Sequence, residues 1–306
     1  MKILLTGASG FLGQKFLYKV ARESSYEQIF CLVKTNNIHL KSSKIKILVG
    51  DLSDPNTIGM LPEKIDVVIH LAAVSNTFLS SDKARSQFLD NVKMTINILN
   101  YCERTSVKKI IYSSSVYIYS GVQSNTFNER DINLPNESLG ASKLACESLI
   151  KFHSFQNNTN CICLRFFTVY GPGSSERQFI TQAIIKISNP DDNSNFRNPS
   201  IKRDFIYIDD AINAIYLAMN NNLKNKFIAI NIGSGKSLSI KEVLKLIRDK
   251  INKNKKISFD NNKDILLHLD KSHFADIKLA NDVLGWTPEV DLEDGIDNTI
   301  DSISNY

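Results

Sequence analysis

The sequence feature that most constrains the fold is a glycine-rich turn between an apolar strand pattern and a helical pattern. Gly7, Gly10 and Gly13 follow the apolar run 2–6 and open the amphipathic run 11–22. Glycines at this spacing let the backbone turn tightly and approach a pyrophosphate, whose charge then lies at the amino end of the helix. A purely structural glycine turn is the alternative. We predict that the turn binds a dinucleotide through Gly7, Ser9, Gly10, Phe11, Leu12 and Gly13.

Short β-branched runs and longer helical patterns alternate along the first half of the chain. The strand patterns cover 2–6, 28–33, 46–49, 66–71, 108–113 and 161–166, and the helical patterns cover 11–22, 83–104 and 139–155. This alternation is typical of a parallel sheet with helices on both faces. We predict an α/β fold, namely a Rossmann doubly wound parallel sheet with a smaller C-terminal lobe that binds the substrate.

The pattern changes after Pro172, where loops rich in Asn, Ser, Asp and Pro separate shorter elements. We predict a dinucleotide-binding domain over 1–170, to which 205–231 returns. The smaller lobe is predicted to comprise 171–204 and 232–306. Its helical patterns cover 239–251 and 292–303.

Composition and charge exclude several classes of protein. The chain has 306 residues, of which 42% are hydrophobic and 23% are charged, values typical of a globular protein. Its 37 basic and 32 acidic residues give a net charge of +5 and are scattered, so we predict no nucleic-acid partner. No apolar run reaches the roughly 18 residues of a membrane span. The start of the chain leads into the glycine turn rather than a signal sequence, so no membrane partner is predicted.

The five cysteines are odd in number and widely spaced, at Cys31, Cys102, Cys146, Cys161 and Cys163. This distribution suits reduced thiols, and we predict a cytoplasmic protein. No histidine or second cysteine pair accompanies Cys161 and Cys163 at metal-ligand spacing, so we predict no metal site.

The end of the second strand pattern bears on which dinucleotide is bound. A carboxylate at this point holds an unphosphorylated adenosine ribose, but the sequence has Lys34 there. Lys34 is placed to face a 2′-phosphate, so NADP(H) is favoured over NAD(H); a solvated lysine is the alternative. Asp51 and Leu52 follow the third strand pattern and are predicted to reach the adenine. An aspartate that caps a loop is the alternative at Asp51.

Further motifs occur in a fixed order over essentially the whole chain. They are His70-Leu71-Ala72-Ala73, Asn91, Ser113-Ser114-Ser115, Ser142-Lys143 with Glu147, the run 164–172, 203–205 with 207–210, and 284–286. Their order and spacing resemble the extended short-chain dehydrogenase/reductases, in the nucleotide-sugar epimerase and dehydratase branch. The stretch 165–172 is most similar to the UDP-glucuronate 4-epimerase subgroup.

The resemblance implies a catalytic Ser or Thr, a Tyr and a Lys around a nicotinamide. The tyrosine exchanges a proton with a sugar hydroxyl while hydride is transferred. Ser115 matches the serine, and Lys143 matches the lysine that hydrogen-bonds the nicotinamide ribose. The tyrosine position is Leu139, which has no proton to give or take. Tyr117 and Tyr119, just beyond the serine, carry hydroxyls, although packing is their ordinary role.

Three explanations of Leu139 stay open from the sequence. Another group substitutes for the tyrosine, the reaction tolerates a poor proton relay, or the chain no longer catalyses. A general acid or base contributes about a hundredfold to ten-thousandfold to turnover, so the choice among these explanations decides whether the chain is an effective enzyme.

The resemblance also implies the remaining contacts of the site. The residues expected to contact the cofactor together with Lys143 are Leu71, Ala72, Ala73, Asn91 and Ser113. The residues expected to bind the sugar nucleotide are Ser75, Ser115, Thr168 and Arg203. Arg203 is expected to hold the diphosphate, which suits an arginine fork. A second arginine that the family places shortly before Asp270 is absent from 265–268.

The sequence therefore predicts an NAD(P)-dependent enzyme that transfers hydride at C4 of a nucleoside-diphosphate hexose, as a 4-epimerase or a 4-keto reductase. The alternative is a catalytically impaired family member that binds the cofactor or the sugar nucleotide as a partner or regulator. By analogy with the family, the chain is predicted to form a homodimer through 83–104 and 139–155.

Overall fold

The computed structural model describes residues 1–23, 25–76, 79–122, 124–131, 135–197, 199–222, 225–260 and 273–304. The strands are β1 (Lys2–Thr6), β2 (Gln28–Val33), β3 (Ile45–Val49), β4 (Val67–His70), β5 (Lys109–Ser115), β6 (Thr126–Phe127), β7 (Asn160–Phe166), β8 (Thr168–Tyr170), β9 (Asn195–Arg197), β10 (Lys202–Arg203), β11 (Phe205–Tyr207), β12 (Phe227–Ile232), β13 (Leu238–Ser239), β14 (Ser258–Asp260) and β15 (Phe274–Ala275). The helices are α1 (Phe11–Ala21), α2 (Ser81–Thr105), α3 (Ser138–Gln156), α4 (Phe179–Ser188), α5 (Ile208–Asn220), α6 (Ile240–Ile251), α7 (Lys278–Leu284) and α8 (Leu292–Ser304). Short 3₁₀ helices cover Pro55–Met60 and Val116–Tyr119.

The central sheet has seven parallel strands in the order β12-β7-β5-β4-β1-β2-β3. The chain runs outward through β2 and β3 on one side of β1, and through β4, β5, β7 and β12 on the other. The order therefore reverses between β1 and β4. In sheets of this kind, ligands bind at this switch point, outside the carboxyl ends of the strands. The predicted α/β Rossmann fold is confirmed.

Side chains of the central strands alternate between two buried cores because successive residues of a strand point to opposite faces. Ile3 and Leu5 of β1 lie in one core with Phe16 of α1. Leu4 lies in the other core with Ile150 of α3. Both faces of the sheet are covered, which is why these strands read as apolar runs rather than as alternating patterns.

The predicted strands and helices of the first half are present, with bounds shifted by one or two residues, as is usual at the ends of elements. The shift that matters for the site is at β5, which ends at Ser115 instead of residue 113. Ser115 therefore lies at the carboxyl edge of the sheet, where ligands bind in this fold.

The second half of the chain adds short strands that the sequence patterns did not reveal, since two or three residues are too few to show a period. Among them, β8 pairs with β11, and β10 pairs with β13. The longer strand β12 joins the central sheet beside β7, with Phe227 opposite Cys161. Helices α4, α6 and α8 bury Ile184, Leu244 and Ile296 completely. These side chains continue the core that lies under α1.

Two buried carboxylates anchor loops in the second half. Asp204 accepts backbone hydrogen bonds from Gly235 at 3.0 Å and Ala275 at 3.0 Å. Asp210 accepts a backbone hydrogen bond from Val290 at 3.1 Å. Burial raises the pKa of both carboxyls, and the backbone donors oppose that rise. Both residues belong to the motifs of the family resemblance, and both serve here as structural anchors.

The five cysteines are free and buried. Burial raises the pKa of the Cys31 and Cys161 thiols to about 12, so these thiols stay protonated and unreactive at neutral pH. Within the described ranges, no cluster of three or more potential metal ligands occurs. Of the helices described, none has the length and apolar character needed to cross a membrane.

Candidate active site

The glycine turn lies against the loop that follows β4. Gly7 has a φ of +70°, and a Cβ added there would lie 2.6 Å from the Ala72 backbone nitrogen. A Cβ added at Gly13 would overlap the Gly7 carbonyl oxygen, which packs on the start of α1. Glycine is required at both positions because side chains would separate the turn from α1 and from the β4 loop. The glycine turn after β1 and the loop after β4 are thereby held in contact.

The amino end of α1 fits a dinucleotide pyrophosphate. Gly10 is the N-cap residue and contributes no side-chain cap, and the first turn carries no acidic residue. The first N–H groups of a helix have no partner inside the helix, and its dipole favours negative charge. Ser9, Phe11 and Leu12 are half-buried around this helix end. The predicted contacts to the dinucleotide are therefore brought together around one anion-binding helix end.

Hydrogen bonds fix the β4 loop, which is the other wall of the crevice. The Leu71 N–H donates to the Thr6 carbonyl at 3.2 Å, and the Ala72 N–H donates to Thr6 Oγ1 at 3.2 Å. Thr6 Oγ1 also lies 2.7 Å from His70 Nδ1. Burial lowers the pKa of His70 to about 3, so its ring is neutral and holds the loop rather than acting as an acid.

Asn91 on α2 holds the continuation of this loop. Its Oδ1 accepts from the Val74 N–H at 2.8 Å, and its Nδ2 donates to the Val74 carbonyl at 3.0 Å and to Ser142 Oγ at 2.9 Å. Both amide atoms are thus engaged within the chain. The structure gives Asn91 a positioning role that links the β4 loop to α3, while its contact with the cofactor stays a prediction. Ala73 is half-buried in the same loop, and Ser75 is exposed beyond it.

Lys143 on α3 points at the end of β5. Its ammonium donates to the Ser113 carbonyl at 2.6 Å and lies 4.8 Å from the centre of the Tyr112 ring. The side chain is buried, and this burial lowers the pKa of Lys143 to about 8. Ser113 engages its carbonyl with Lys143, which leaves only its hydroxyl for the predicted cofactor contact.

Ser115 ends β5 two residues after Ser113, so the two side chains share one face of the strand. Its Oγ accepts a hydrogen bond from the Tyr117 N–H at 3.3 Å and caps the short 3₁₀ helix. This cap uses Ser115 Oγ as an acceptor, so the hydroxyl proton can still be donated to a substrate oxygen. Ser115 and the Lys143 ammonium, which bonds the Ser113 carbonyl, therefore both lie at the carboxyl end of β5; their catalytic roles stay a prediction.

Leu139 is buried one turn before Lys143 on α3. Its backbone N–H donates to Glu137 Oε2 at 2.9 Å, and its carbonyl accepts from Ser142 Oγ at 2.8 Å. Residues four apart on a helix project from one face, so Leu139 keeps the placement of the expected tyrosine beside Lys143. Its side chain supplies only apolar surface there.

Tyr119 is excluded as a substitute for the missing hydroxyl. Its hydroxyl donates to Asn231 Oδ1 at 2.7 Å and accepts from Arg165 Nη1 at 2.8 Å. Its ring is fully buried and stacks on Phe127 with centroids 4.9 Å apart. Tyr119 is therefore a core residue.

Tyr117 remains the other hydroxyl close to Ser115. Burial raises the pKa of Tyr117; Glu137 raises it further and Arg203 lowers it. A phenol with a raised pKa is a poor proton acceptor at neutral pH, whereas hydride transfer from a sugar alcohol needs a good one.

A buried ion pair beside the site was not predicted. Arg165 of β7 donates to Glu147 of α3 through Nε at 3.0 Å and through Nη2 at 2.7 Å. The Ser114 hydroxyl donates to the same carboxylate. Glu147 is one turn beyond Lys143, so the ion pair fixes α3 against β7 and the Ser114 contact fixes it against β5. The sequence signal that could have revealed the pair is an arginine inside an otherwise apolar strand pattern, because a buried charge needs a partner.

The two residues predicted near the adenosine end contact each other. Lys34 Nζ lies 2.6 Å from Asp51 Oδ2, with 77% of the Lys34 side chain exposed. Asp51 also accepts from the Ser53 N–H at 3.0 Å, and these donors lower the pKa of Asp51 to about 2. Leu52 is buried in the core, so only its backbone is available to an adenine. Asp51 thus has the loop-capping contacts that the sequence left as its alternative.

The remaining predicted sugar residues, Thr168 and Arg203, lie in the short strands β8 and β10. Thr168 in β8 is half-buried, and its N–H donates to the Asp204 carbonyl at 3.1 Å. Arg203 in β10 is half-buried, and its Nη1 donates to the Lys202 carbonyl at 2.9 Å. The segment 265–268, where the family's second arginine is missing, lies outside the described residues.

Comparison with known proteins identifies the family of the chain. The model of the NAD dependent epimerase/dehydratase family matches residues 3–233. A dTDP-4-dehydro-6-deoxyglucose reductase of Escherichia coli is 30% identical over 320 residues, covering 98% of this chain and 97% of the relative. A UDP-glucuronate 4-epimerase of Thermodesulfobacterium geofontis is 27% identical, covering 97% of this chain and 94% of the relative. The chain belongs to the NAD-dependent epimerase/dehydratase family.

Solved structures share the fold over the whole chain. UDP-glucuronic acid 4-epimerase from Bacillus cereus, in complex with UDP-glucuronic acid and NAD, is 26% identical with a TM-score of 0.87, covering 100% of this chain and 99% of that one. UDP-glucose 4-epimerase from Thermotoga maritima with UDP-glucose is 21% identical with a TM-score of 0.88, covering 100% and 99%. At 21% identity, the likeness to the Thermotoga maritima structure shows a shared fold alone.

Proposed function

We propose that the chain is an NAD(P)-dependent enzyme that transfers hydride at C4 of a nucleoside-diphosphate hexose, as a 4-epimerase or a 4-keto reductase. The observation that carries this proposal is the meeting of Lys143 and Ser115 at the end of β5, on the same edge of the sheet as the glycine turn. Relatives named as a 4-epimerase and as a 4-dehydro sugar reductase support the same reaction class.

In this proposal each group of residues has a separate role. The glycine turn and the start of α1 hold the pyrophosphate, and the β4 loop forms the wall beside it. When bound, the nicotinamide supplies the hydride acceptor or donor. The Lys143 ammonium holds the nicotinamide ribose and adds positive charge. The Ser115 hydroxyl donates to the C4 oxygen, and Arg203 holds the diphosphate of the sugar nucleotide.

The second candidate function is that of a binding protein which keeps the cofactor and the sugar nucleotide without turnover. The buried leucine at the tyrosine position favours it. The retained Ser115 favours the enzyme, because its hydroxyl serves the reacting C4 oxygen, whereas Lys143 has a role in either candidate since it holds the nicotinamide ribose.

Product analysis separates the two candidates. The purified chain is incubated with NAD(P)+ and UDP-glucose or UDP-glucuronate, and with NAD(P)H and a dTDP-4-dehydro-6-deoxyhexose. We expect a C4 epimer or a reduced sugar nucleotide to form. Tight binding of both ligands with no product from any pair would support the binding protein instead.

We propose NADP(H) as the preferred dinucleotide. The support is the lack of a carboxylate at the end of β2 and the presence there of Lys34. Its partner Asp51 does not block this role, because an exposed ion pair is worth at most about 1 kcal/mol and opens readily. A 2′-phosphate carries more charge than the carboxylate and competes for the ammonium.

Replacing Lys34 tests this preference. We expect Lys34→Ala to weaken NADPH binding about tenfold, the equivalent of one charged hydrogen bond, and to leave NADH binding unchanged. Lys46→Ala, which removes an exposed lysine from the neighbouring strand, is the matched control. Titration of both dinucleotides measures the ratio, and an equal effect on NADH and NADPH would contradict the preference.

We propose a homodimer formed through the outer surfaces of α2 and α3. Large apolar side chains are exposed there, with Leu89 51%, Phe152 65% and Phe155 59% exposed. Apolar surface of this kind is typical of a subunit interface. We expect the double variant Phe152→Asp, Phe155→Asp to sediment as a monomer. Tyr18→Asp on α1, across the sheet, should leave the dimer intact, and a monomeric wild type would contradict the proposal.

We also propose that 1–170 with 205–231 forms the dinucleotide domain, and that 171–204 and 232–306 form the sugar-nucleotide lobe. The pairing of β12 with β7 supports the return of the chain to the first domain. The free thiols support a cytoplasmic location.

A further inference from the structure

A backbone carbonyl and an aromatic ring hold the buried charge of Lys143. The ammonium donates to the Ser113 carbonyl at 2.6 Å and lies over the Tyr112 ring, 4.8 Å from its centre. Glu147, one turn further along α3, is instead paired with Arg165 at 2.7 Å. Only 4% of Lys143 is exposed. Because a buried charge is costly unless its surroundings stabilise it, these two contacts bear on whether the lysine stays protonated.

Tyr112 of β5 is buried in the core beneath α3. Its side chain is 2% exposed and lies in the same core as Cys146 and Ile150 of α3. Burial raises the pKa of the Tyr112 phenol well above its usual value, so the ring carries no charge at neutral pH. The Lys143 ammonium therefore faces the electron-rich face of a neutral ring, which attracts a cation most strongly where water is excluded.

Tyr112 packs on His70, whose own ring is fixed by hydrogen bonds. The two residues are opposite each other in the pairing of β4 with β5, and their ring centres are 5.5 Å apart. His70 Nδ1 lies 2.7 Å from Thr6 Oγ1, and His70 Nε2 lies 3.4 Å from Thr95 Oγ1. The same Thr6 hydroxyl accepts from the Ala72 N–H of the β4 loop. The ring that faces the ammonium is therefore braced by the residues that hold one wall of the crevice.

The titratable groups around Lys143 leave its charge largely to the ring and the carbonyl. Burial, and then the charge of Lys143, lower the pKa of His70 to about 3, so His70 adds no opposing charge. The other titratable groups that face Lys143 are Cys146 and Glu147 on α3 and Cys163 on β7. Burial raises the pKa of the Cys163 thiol well above its usual value, so this thiol is neutral. The carboxylate is already bound to an arginine.

Leu139 increases the need for such contacts. It is buried one turn before Lys143 on the same helix face. Its side chain is apolar, so it offers no oxygen to the ammonium and adds to the cost of burying the charge. The ring and the carbonyl of β5 therefore supply the stabilisation that a polar group at this level of α3 would share.

We propose that Tyr112 is a positioning residue for Lys143: its ring face keeps the buried lysine protonated and holds the ammonium at the carboxyl end of β5. The proposal rests on the hydride-transfer function proposed above, in which Lys143 acts as an ammonium beside the nicotinamide ribose. Tyr112 acts through Lys143 alone. A ring suits this role because it stabilises a positive charge without offering an anion that would bind the ammonium in place of the ribose.

The pH profile of turnover tests the proposal. We expect wild-type turnover to fall as the pH rises through about 8, where Lys143 loses its proton. Tyr112→Leu should make the ammonium about tenfold more acidic, the size of a desolvated cation–π contact, so its turnover should fall about one pH unit lower. Tyr112→Phe keeps the ring face and should retain the wild-type profile. Tyr101→Leu, which removes a buried tyrosine from the same core, is the matched control and should also retain it.

A stability cycle tests the same contact without turnover. Tyr112→Leu, Lys143→Met and the double variant are unfolded chemically at pH 6 and at pH 10. We expect the coupling between the two positions to favour folding about tenfold at pH 6 and to be largely lost at pH 10, where the buried lysine is neutral. Equal coupling at the two pH values would mean ordinary packing and would overturn the proposal.

Ring analogues keep the test decisive if Tyr112→Leu does not fold. Phenylalanines with one, two or three ring fluorines at position 112 keep the shape of the ring and progressively weaken its negative face. Each added fluorine should lower the coupling to Lys143 at pH 6 and move the fall in turnover to lower pH. An unmoved profile across the series, or the same shift in Tyr112→Phe as in Tyr112→Leu, would overturn the proposal. If the wild type has no turnover at any pH while the coupling at pH 6 is present, the hydride-transfer function fails and the support of Lys143 by Tyr112 stands.

Discussion

The Lys143→Met variant is expected to lose turnover by about a hundredfold to ten-thousandfold, the range of a general acid or base. The variant should remain folded, because methionine fills a similar volume and removes a buried charge whose hydrogen-bond acceptor is the Ser113 carbonyl. Initial rates and thermal unfolding measure the two effects. Lys151→Met, on the exposed side of α3, is the control.

The pH dependence of stability gives the Lys143 prediction a second readout. Burial lowers the pKa of Lys143 from its usual 10.5 to about 8. Between these pH values the unfolded chain holds the proton and the folded chain does not, so this group makes stability rise with pH from about 8 to 10.5. The groups that face it are Cys146 and Glu147 on α3, Cys163 on β7 and His70 on β4.

The Lys143→Met variant lacks this contribution. Removal of the buried charge should make the variant more stable than the wild type below a pH of about 8. This difference in the free energy of unfolding should shrink as the pH rises from about 8 to 10.5. Unchanged turnover in Lys143→Met, or parallel pH profiles of stability in the two chains, would contradict the role and environment assigned to this lysine.

The Glu147→Ala variant is expected to lose about 3–5 kcal/mol of stability, the cost of breaking a buried pair and leaving one charge unpaired. Arg165 is 2% exposed, so its charge would be left buried in the variant. Because a domain is typically stable by about 5–15 kcal/mol, this loss is a large share of the total and should lower the denaturation midpoint clearly. Chemical denaturation measures the loss.

A paired replacement separates charge from packing. Replacing both Glu147 and Arg165 with Met should be less damaging than Glu147→Ala, since no charge is left buried without a partner. Asp297→Ala, which breaks a surface pair with Lys250, is the control and should shift the midpoint little. Equal losses in the single and the double variant would mean that shape rather than charge decides stability here.

The fold was predictable because its determinants are local in sequence. Each buried strand is an apolar run, and each covering helix repeats apolar residues at three- and four-residue spacing. The glycine turn fixes where the first strand ends and the first helix begins. The short strands β8 to β11 were missed because they are set by contacts such as the anchoring of Asp204, which join residues far apart in sequence.

The sequence could locate a residue of the candidate site only where that residue occupies a fixed position in a family motif. Ser115, Leu139 and Lys143 fall at the places that the family pattern gives them. The partnership of Lys34 with Asp51 depends on the pairing of β2 with β3 and did not show in either motif.

The most direct test of the central claim is the movement of a label from C4. The chain is incubated with NAD(P)+ and a UDP-hexose that carries deuterium at C4, and mass spectrometry follows the label. The account predicts a C4 epimer that keeps the deuterium or a reduced dinucleotide that has gained it. If both ligands bind and the deuterium stays in unchanged substrate, the chain does not transfer hydride at C4, and Leu139 marks the loss of catalysis.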